Sequence, residues 1–274
     1  MKRLYQTLVL SFFLALVALA PAAAQDSEQS LTLLVPEVIS VRPHDTGSYT
    51  QGLLWHEGVF YESAGEYGES DMREVDPETG DVLRIYELGE AFFAEGLALV
   101  DDRLIQLTWV NGVAFVYDRE TFEYRRAFRY EGEGWGLCYD GEVLYMSDGS
   151  EIIDVRDPQT FELLDEITVT YNGQPVSEFS VQNVPLDDLN ELECVGGDIY
   201  ANVWQSDVIV RIDKQTGAIN AVVDATRLLT PEERAELTYS AVLNGIAYNP
   251  DEDVFYITGK LWPKLFEVRF VTPE

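Results

Sequence analysis

An acid, an amine, three carboxamides and three indoles occupy matched places in this chain. A short phrase recurs five times: Gln51-Gly52-Leu53, Glu95-Gly96-Leu97, Trp135-Gly136-Leu137, Asn190-Glu191-Leu192 and Asn244-Gly245-Ile246. Fourteen residues after each of the first four lead residues comes a second matched position, holding Gly65, Trp109, Gly149 and Trp204. In the fifth phrase a two-residue insertion delays it to Lys260. A carboxyl group can take and return a proton. An ammonium or a carboxamide can steady a developing negative oxygen, and indoles can wall a small polar group off from water.

The elements that must position these residues are legible in the same repeat. Each lead residue opens a short apolar run, then a polar turn such as His56-Glu57-Gly58, Tyr139-Asp140-Gly141 or Val195-Gly196-Gly197, then a second apolar run. Asp-Gly and Gly-Gly between apolar runs are hairpin signals. A third run closes on Asp76, Asp118, Asp157 or Asp213, each followed three residues later by Thr79, Thr121, Thr160 or Thr216. Aspartate there can accept from backbone amides ahead of it and so favours a turn. A fourth apolar run follows.

Four strands recurring about every 40 to 55 residues predict an all-β chain, a five-bladed β-propeller of four-stranded blades. The fifth unit ends at Phe266-Glu267-Val268-Arg269-Phe270 without its outer strand, which Glu37-Val38-Ile39-Ser40-Val41 can supply, closing the ring with an N-terminal strand. An open solenoid would need a distinct cap at each end, whereas here the two ends complement each other. One short helix is expected, with Thr230 as cap and Pro231 at its first position. In a propeller the innermost strand of each blade lines the axis. Its start and the end of the next strand lie at one mouth, because the two form an antiparallel hairpin. The register therefore gathers Gln51, Glu95, Trp135, Asn190 and Asn244 with Trp109, Trp204 and Lys260 around one hollow.

Taken singly, each has an ordinary role: tryptophans pack between blades, Lys260 snorkels to solvent, and Asn190 and Asn244 bond turns. Glu95 differs, because Ala91-Phe92-Phe93-Ala94 before it and Leu97 after it make an apolar, buried setting. A buried carboxyl needs a partner or a raised pKa. His44-Asp45 invites a catalytic dyad, but neighbours on an extended segment point apart, so His44 reads as structural or mouth-lining.

Lys2-Arg3, the apolar run from Leu8 to Ala20 and Ala22-Ala23-Ala24 read as an export signal over residues 1–24, giving a periplasmic or secreted protein. Residues 25–35 form a leader and residues 36–274 a single domain, expected to be a monomer. The net charge of −31, or −33 once Lys2 and Arg3 are gone, argues against nucleic-acid and anionic-membrane partners. Cys138 and Cys194 fall at offsets of three and four from their lead residues, which point to opposite strand faces, so two buried thiols are expected. With only His44 and His56 available and no ligand spacing, no metal site is expected.

The phrases PHDTGSYTQGL, YESAGEYGES, AEGLALVDDRLIQLTW, EGWGLCYDGEVLYMSDGS, NELE, ANVWQSDVIVRID, LNGIAY and TGKLWPKLFEV resemble the plant-type glutaminyl-peptide cyclotransferases over about residues 36–270. That family is a five-bladed propeller. The resemblance implies a site of Gln51, Glu95, Trp109, Trp135, Asn190, Trp204 and Lys260, with Tyr49 and Phe93 beside it. It implies closure of an N-terminal glutamine of a peptide or protein into 5-oxoproline with release of ammonia, without metal or cofactor. Glu95, Lys260 and Asn190 would carry catalysis; Gln51, Tyr49, Phe93, Asn244 and the three tryptophans would hold substrate. Two alternatives stand beside this reading. One is a non-catalytic propeller that captures peptides or sugars. The other is a metal-dependent propeller hydrolase or lactonase drawing on Glu95, Asn190 and Asn244.

Overall fold

A computed structural model describes residues 31–181 and 184–273. The export signal and residues 25–30 of the leader lie outside these described residues. Strand β1 (Thr32–Pro43) is followed by three separate four-stranded meanders. The first is β2 (Thr50–His56), β3 (Val59–Ala64), β4 (Asp71–Val75) and β5 (Val82–Glu87). The second is β6 (Ala94–Val100), β7 (Arg103–Thr108), β8 (Val113–Asp118) and β9 (Tyr124–Arg129). The third is β10 (Leu137–Tyr139), β11 (Leu144–Ser147), β12 (Ile152–Arg156) and β13 (Leu163–Thr168). Two short hairpins with no repeat counterpart follow: β14 (Thr170–Tyr171) with β15 (Gln174–Pro175), and β16 (Ser180–Val181) with β17 (Val184–Pro185).

The fourth meander comprises β18 (Leu189–Val195), β19 (Asp198–Val203), β20 (Val208–Asp213) and β21 (Ile219–Asp224). Helix α1 (Pro231–Glu236) comes next, with Thr230 and Glu233 forming a reciprocal capping box and Pro231 at its start. The fifth unit is β22 (Leu243–Asn249), β23 (Val254–Gly259) and β24 (Lys264–Val271). Residues 35–43 of β1 run antiparallel to β24, while residues 32–34 run parallel to β21. The fourth and fifth units thus join through β1 into one eight-stranded sheet. Residues 32–35, from the stretch read as leader, belong to that strand.

Burial explains the strand chemistry. The first strands of the units are buried on both faces, so they read as continuous apolar runs, whereas β5, β9 and β13 are largely exposed. Each aspartate turn forms as its chemistry demands. Asp76, Asp118, Asp157 and Asp213 accept from the backbone N–H of Thr79, Thr121, Thr160 and Thr216 at 2.7–2.9 Å.

The recurring glycine after the lead residue has a packing cause. A Cβ on Gly52 would stand 2.6 Å from Leu97 N, one on Gly96 2.5 Å from Leu137 N, and one on Gly136 2.1 Å from the Asn190 carbonyl oxygen. Successive first strands pack too closely for any side chain there. The fourth unit breaks the rule with Glu191, which is 1% exposed. Its carboxyl accepts from Leu53 N at 3.3 Å and Ile246 N at 2.8 Å, tying three units together.

The cysteines correct the thiol expectation. Cys138 and Cys194 form a disulfide, with Cα atoms 5.5 Å apart. Opposite faces of a strand do diverge within one sheet, but these residues sit in neighbouring sheets packed face to face. The outward face of β10 and the opposite face of β18 therefore meet, and Cys138 and Cys194 share one core cluster.

Candidate active site

The register brings the predicted residues together through one repeated hydrogen bond. The N–H of Gly65, Trp109, Trp204 and Lys260 donates to the carbonyl two residues before its lead residue, on Tyr49, Phe93, Asp188 and Val242. The longer turn between β22 and β23 absorbs the insertion, so Lys260 keeps the register of its counterparts. Around the mouth so formed lies a cavity of about 240 Å³, lined by Tyr49, Gln51, Glu66, Phe93, Glu95, Trp109, Trp135, Asn190, Trp204 and Lys260.

Nine of the ten predicted residues line this cavity; Asn244 does not. Its amide donates to the Thr50 carbonyl at 2.9 Å and to Gln51 Oε1 at 3.3 Å. Gln51 Nε2 in turn donates to Glu95 Oε1 at 3.0 Å. Asn244 therefore orients Gln51, and Gln51 orients Glu95. The Oδ1 of Asn244 is buried without a partner.

Glu95 is 4% exposed, and its Oε2 has no hydrogen-bond partner. Burial pushes its carboxyl well above the usual carboxylate range; Lys260 opposes the shift and Glu133 adds to it. Lys260 is 2% exposed, with Nζ 4.7 Å from the centre of the Tyr49 ring. Burial lowers its ammonium to about 8, while Glu95 and Glu66 pull the other way. The side-chain Oδ1 of Asn190 is likewise buried without a partner. These two cavity residues thus keep acceptor oxygens free for a bound group or for water.

The aromatic walls are held edge-on. Trp135 meets Trp204 at 5.6 Å between ring centres, and Phe93 meets Trp109 at 5.9 Å and Tyr49 at 6.1 Å. Two glycines make room for them. A Cβ on Gly65 would stand 2.3 Å from the Phe93 ring, and one on Gly149 2.6 Å from the Trp135 ring.

Two acids were not anticipated. Glu66, exposed at the rim, stands beside matched Gly65, so adjacency was the available signal. Glu133 lies two residues before the lead residue Trp135, the place that Tyr49 and Phe93 hold in the first two units, so the spacing offered a signal there too. His44 is structural, with Nδ1 2.7 Å from the Trp262 carbonyl and Nε2 3.1 Å from Glu62 Oε1. Burial works against charge on Glu62, but His44, Arg73 and Ser48 outweigh it and hold that carboxyl at about 2.

Fold and cavity together define a propeller-like all-β protein with an aromatic-walled cavity that holds a buried acid and a buried amine. A family model described as "Glutamine cyclotransferase" matches residues 9–270. A curated Arabidopsis thaliana protein named glutaminyl-peptide cyclotransferase is 37% identical over 235 residues, 85% of this chain and 70% of its own. A crystal structure of Myxococcus xanthus glutaminyl cyclase superposes with a TM-score of 0.80 at 39% identity, covering 89% of this chain and 100% of that one. The WD40 repeats of RRP9, at 8% identity and a TM-score of 0.52, share the fold alone over 86% of this chain and 99% of theirs. The chain belongs to the glutamine cyclotransferase family.

Proposed function

We propose that this protein is a glutaminyl-peptide cyclotransferase, converting an N-terminal glutamine of peptides or proteins to 5-oxoproline with release of ammonia. One observation carries the assignment beyond family membership: a buried carboxyl, Glu95, lines an aromatic-walled cavity with one oxygen unpartnered, together with an amine, Lys260, that is equally buried. Nucleophile and electrophile belong to the same residue. The first requirement is therefore a folded pose, and well-oriented intramolecular attack corresponds to effective molarities of about 10⁵ M or more. The indoles of Trp109, Trp135 and Trp204, with Tyr49 and Phe93, supply the walls.

The α-amine attacks the side-chain amide carbon. Glu95 Oε2 takes the amine proton and returns it to the departing nitrogen, which leaves as ammonia. The Gln51 N–H and the Lys260 charge favour the ionised carboxylate against the effect of burial. Gln51 gives one of its two N–H groups to Glu95, and its other N–H, Lys260 and the Asn190 amide can face the developing oxyanion. No step in this scheme calls for a metal or cofactor.

The architecture belongs to the same reading. Five blades form the ring, with β1 as the outer strand of the fifth; the pairing of β1 with β24 supports this. The protein acts as a monomer, exported by its N-terminal segment. Ammonia release from Gln-peptides in the presence of a chelator tests the assignment. Binding without turnover would favour the capture alternative, and chelator-sensitive hydrolysis the metal-dependent one.

A further inference from the structure

Glu133 holds in the third unit the place of Tyr49 and Phe93 and does not line the cavity, yet it touches two of its walls. Its Oε2 accepts from Trp109 Nε1 at 2.6 Å and from Trp135 Nε1 at 2.9 Å. These indoles come from different units: Trp109 follows β7 of the second, and Trp135 leads the third. One carboxylate oxygen thus joins two walls across a sheet boundary.

The local backbone is built to put it there. The N–H of Gly134 donates to the Trp109 carbonyl at 2.9 Å, and the Trp135 carbonyl accepts from Gly96 N at 2.7 Å. A Cβ on Gly134 would stand 2.4 Å from the Tyr130 hydroxyl, so this approach needs glycine. Tyr130 in turn bonds to the backbone of Thr108, the residue before Trp109. The segment from Tyr130 to Trp135 is therefore pinned against the end of β7, with the Glu133 side chain between the two rings.

We propose that Glu133 is a positioning residue of the cyclisation site, clamping the Trp109 and Trp135 indoles in the orientation that folds the bound glutamine onto itself. The proposal rests on the cyclotransferase reading. An indole has one N–H and, packed edge-on against a single neighbour, can swing about its own side-chain bonds. A shared acceptor removes that freedom from both rings at once. Hydrogen bonds to an ionised acceptor are the stronger kind. The clamp acts through the walls, beside the lesser influence of the Glu133 charge on the Glu95 carboxyl. Displacing such walls by about 1 Å costs on the order of 10²-fold in rate.

The test uses the full chain, with steady-state kinetics on Gln-peptides and the indole N–H signals of ¹⁵N-tryptophan-labelled protein. Glu133→Ala is expected to lower kcat/KM by about ten- to hundredfold. It should also move upfield the two indole signals that Trp109→Phe and Trp135→Phe identify. Glu133→Gln keeps an oxygen acceptor of the same reach and should recover activity to within about threefold, the tolerance of a conserved hydrogen bond. Glu133→Asp, one methylene short, should fall between them, and it serves if the alanine variant does not fold. The clamp is overturned by kinetics in folded Glu133→Ala or Glu133→Asp that match the parent. It is also overturned by unmoved indole signals in Glu133→Ala, or by Glu133→Gln as impaired as Glu133→Ala. A parent protein that releases no ammonia would sink the cyclotransferase reading instead, and the indole signals would still judge the clamp.

Discussion

Replacing Lys260 with methionine isolates the charge at the cavity. Methionine keeps the unbranched apolar stem, so packing against Tyr49 survives while the ammonium is lost. Lys260 is 2% exposed and makes no ion pair among the described residues, so its charge is not consumed by a structural partner. Removing one preorganised donor from an oxyanion site costs about 10²–10³ in kcat, or about 2.7–4 kcal/mol. The demand peaks as the oxyanion forms, so the loss belongs in kcat, with KM moving only a few-fold. The pH dependence gives a second signature. The ammonium sits at about 8, so the charged form predominates at pH 7. The protonated form is the active one, so kcat should fall as pH rises through about 8, and Lys260→Met should lack that fall. Ammonia release from a Gln-peptide, followed from about pH 6 to 9.5 for both proteins, supplies both readings. An unchanged kcat with a raised KM, or an alkaline fall that persists in the variant, refutes the oxyanion role.

Three further outcomes follow from particular contacts. Glu95→Gln keeps the shape beside Gln51 but removes the proton acceptor, so turnover should drop by about 10²–10⁴-fold with the melting temperature retained; near-parental turnover would remove Glu95 from the mechanism. Burial holds the Glu191 carboxyl well above its ordinary range, with Glu193 adding and the Leu53 and Ile246 N–H groups opposing. Its contribution to stability is full below about 4.5 and is lost as pH rises toward the raised value. Glu191→Gln should therefore flatten the decline in melting temperature from pH 5 to pH 9, and an undiminished slope would contradict it. Replacing Cys138 and Cys194 by serine opens a cross-link with a sequence separation of 56, and denaturant titration should show a loss of about 2–4 kcal/mol; a loss below about 1 kcal/mol would count against the cross-link.

The site was legible because a repeated hairpin turns sequence spacing into position. Lys260 shows how far this goes: displaced by an insertion, it still makes the backbone bond of its counterparts, because the longer turn lies at the far end of the hairpin. The same logic misplaced Asn244. Register fixes where a strand residue starts, not which neighbour its side chain chooses, and Asn244 found two acceptors behind Gln51. Glu133 stands at the register place of Tyr49 and Phe93, but spacing alone does not tell that its side chain would bond two indoles; that follows from contacts such as Gly134 against Tyr130. The disulfide escaped because alternation along a strand tells which face a residue takes, but not which face of the next sheet it meets. The hairpins over residues 170–185 escaped because strands of two residues carry no periodicity.

Glu191 has a consequence for traffic. Where the other units place a bare glycine, the fourth inserts a carboxyl side chain that stitches together backbone from the first and fifth. The expectation from that bridge is that a peptide entering past the indoles meets a cul-de-sac and not a tunnel. Only a chain terminus can reach Glu95, because an interior glutamine would need somewhere for the preceding residues to go. The cyclised end must back out the way it came. The body of the substrate stays outside throughout, so a long protein and a short peptide present the same few atoms to the pocket.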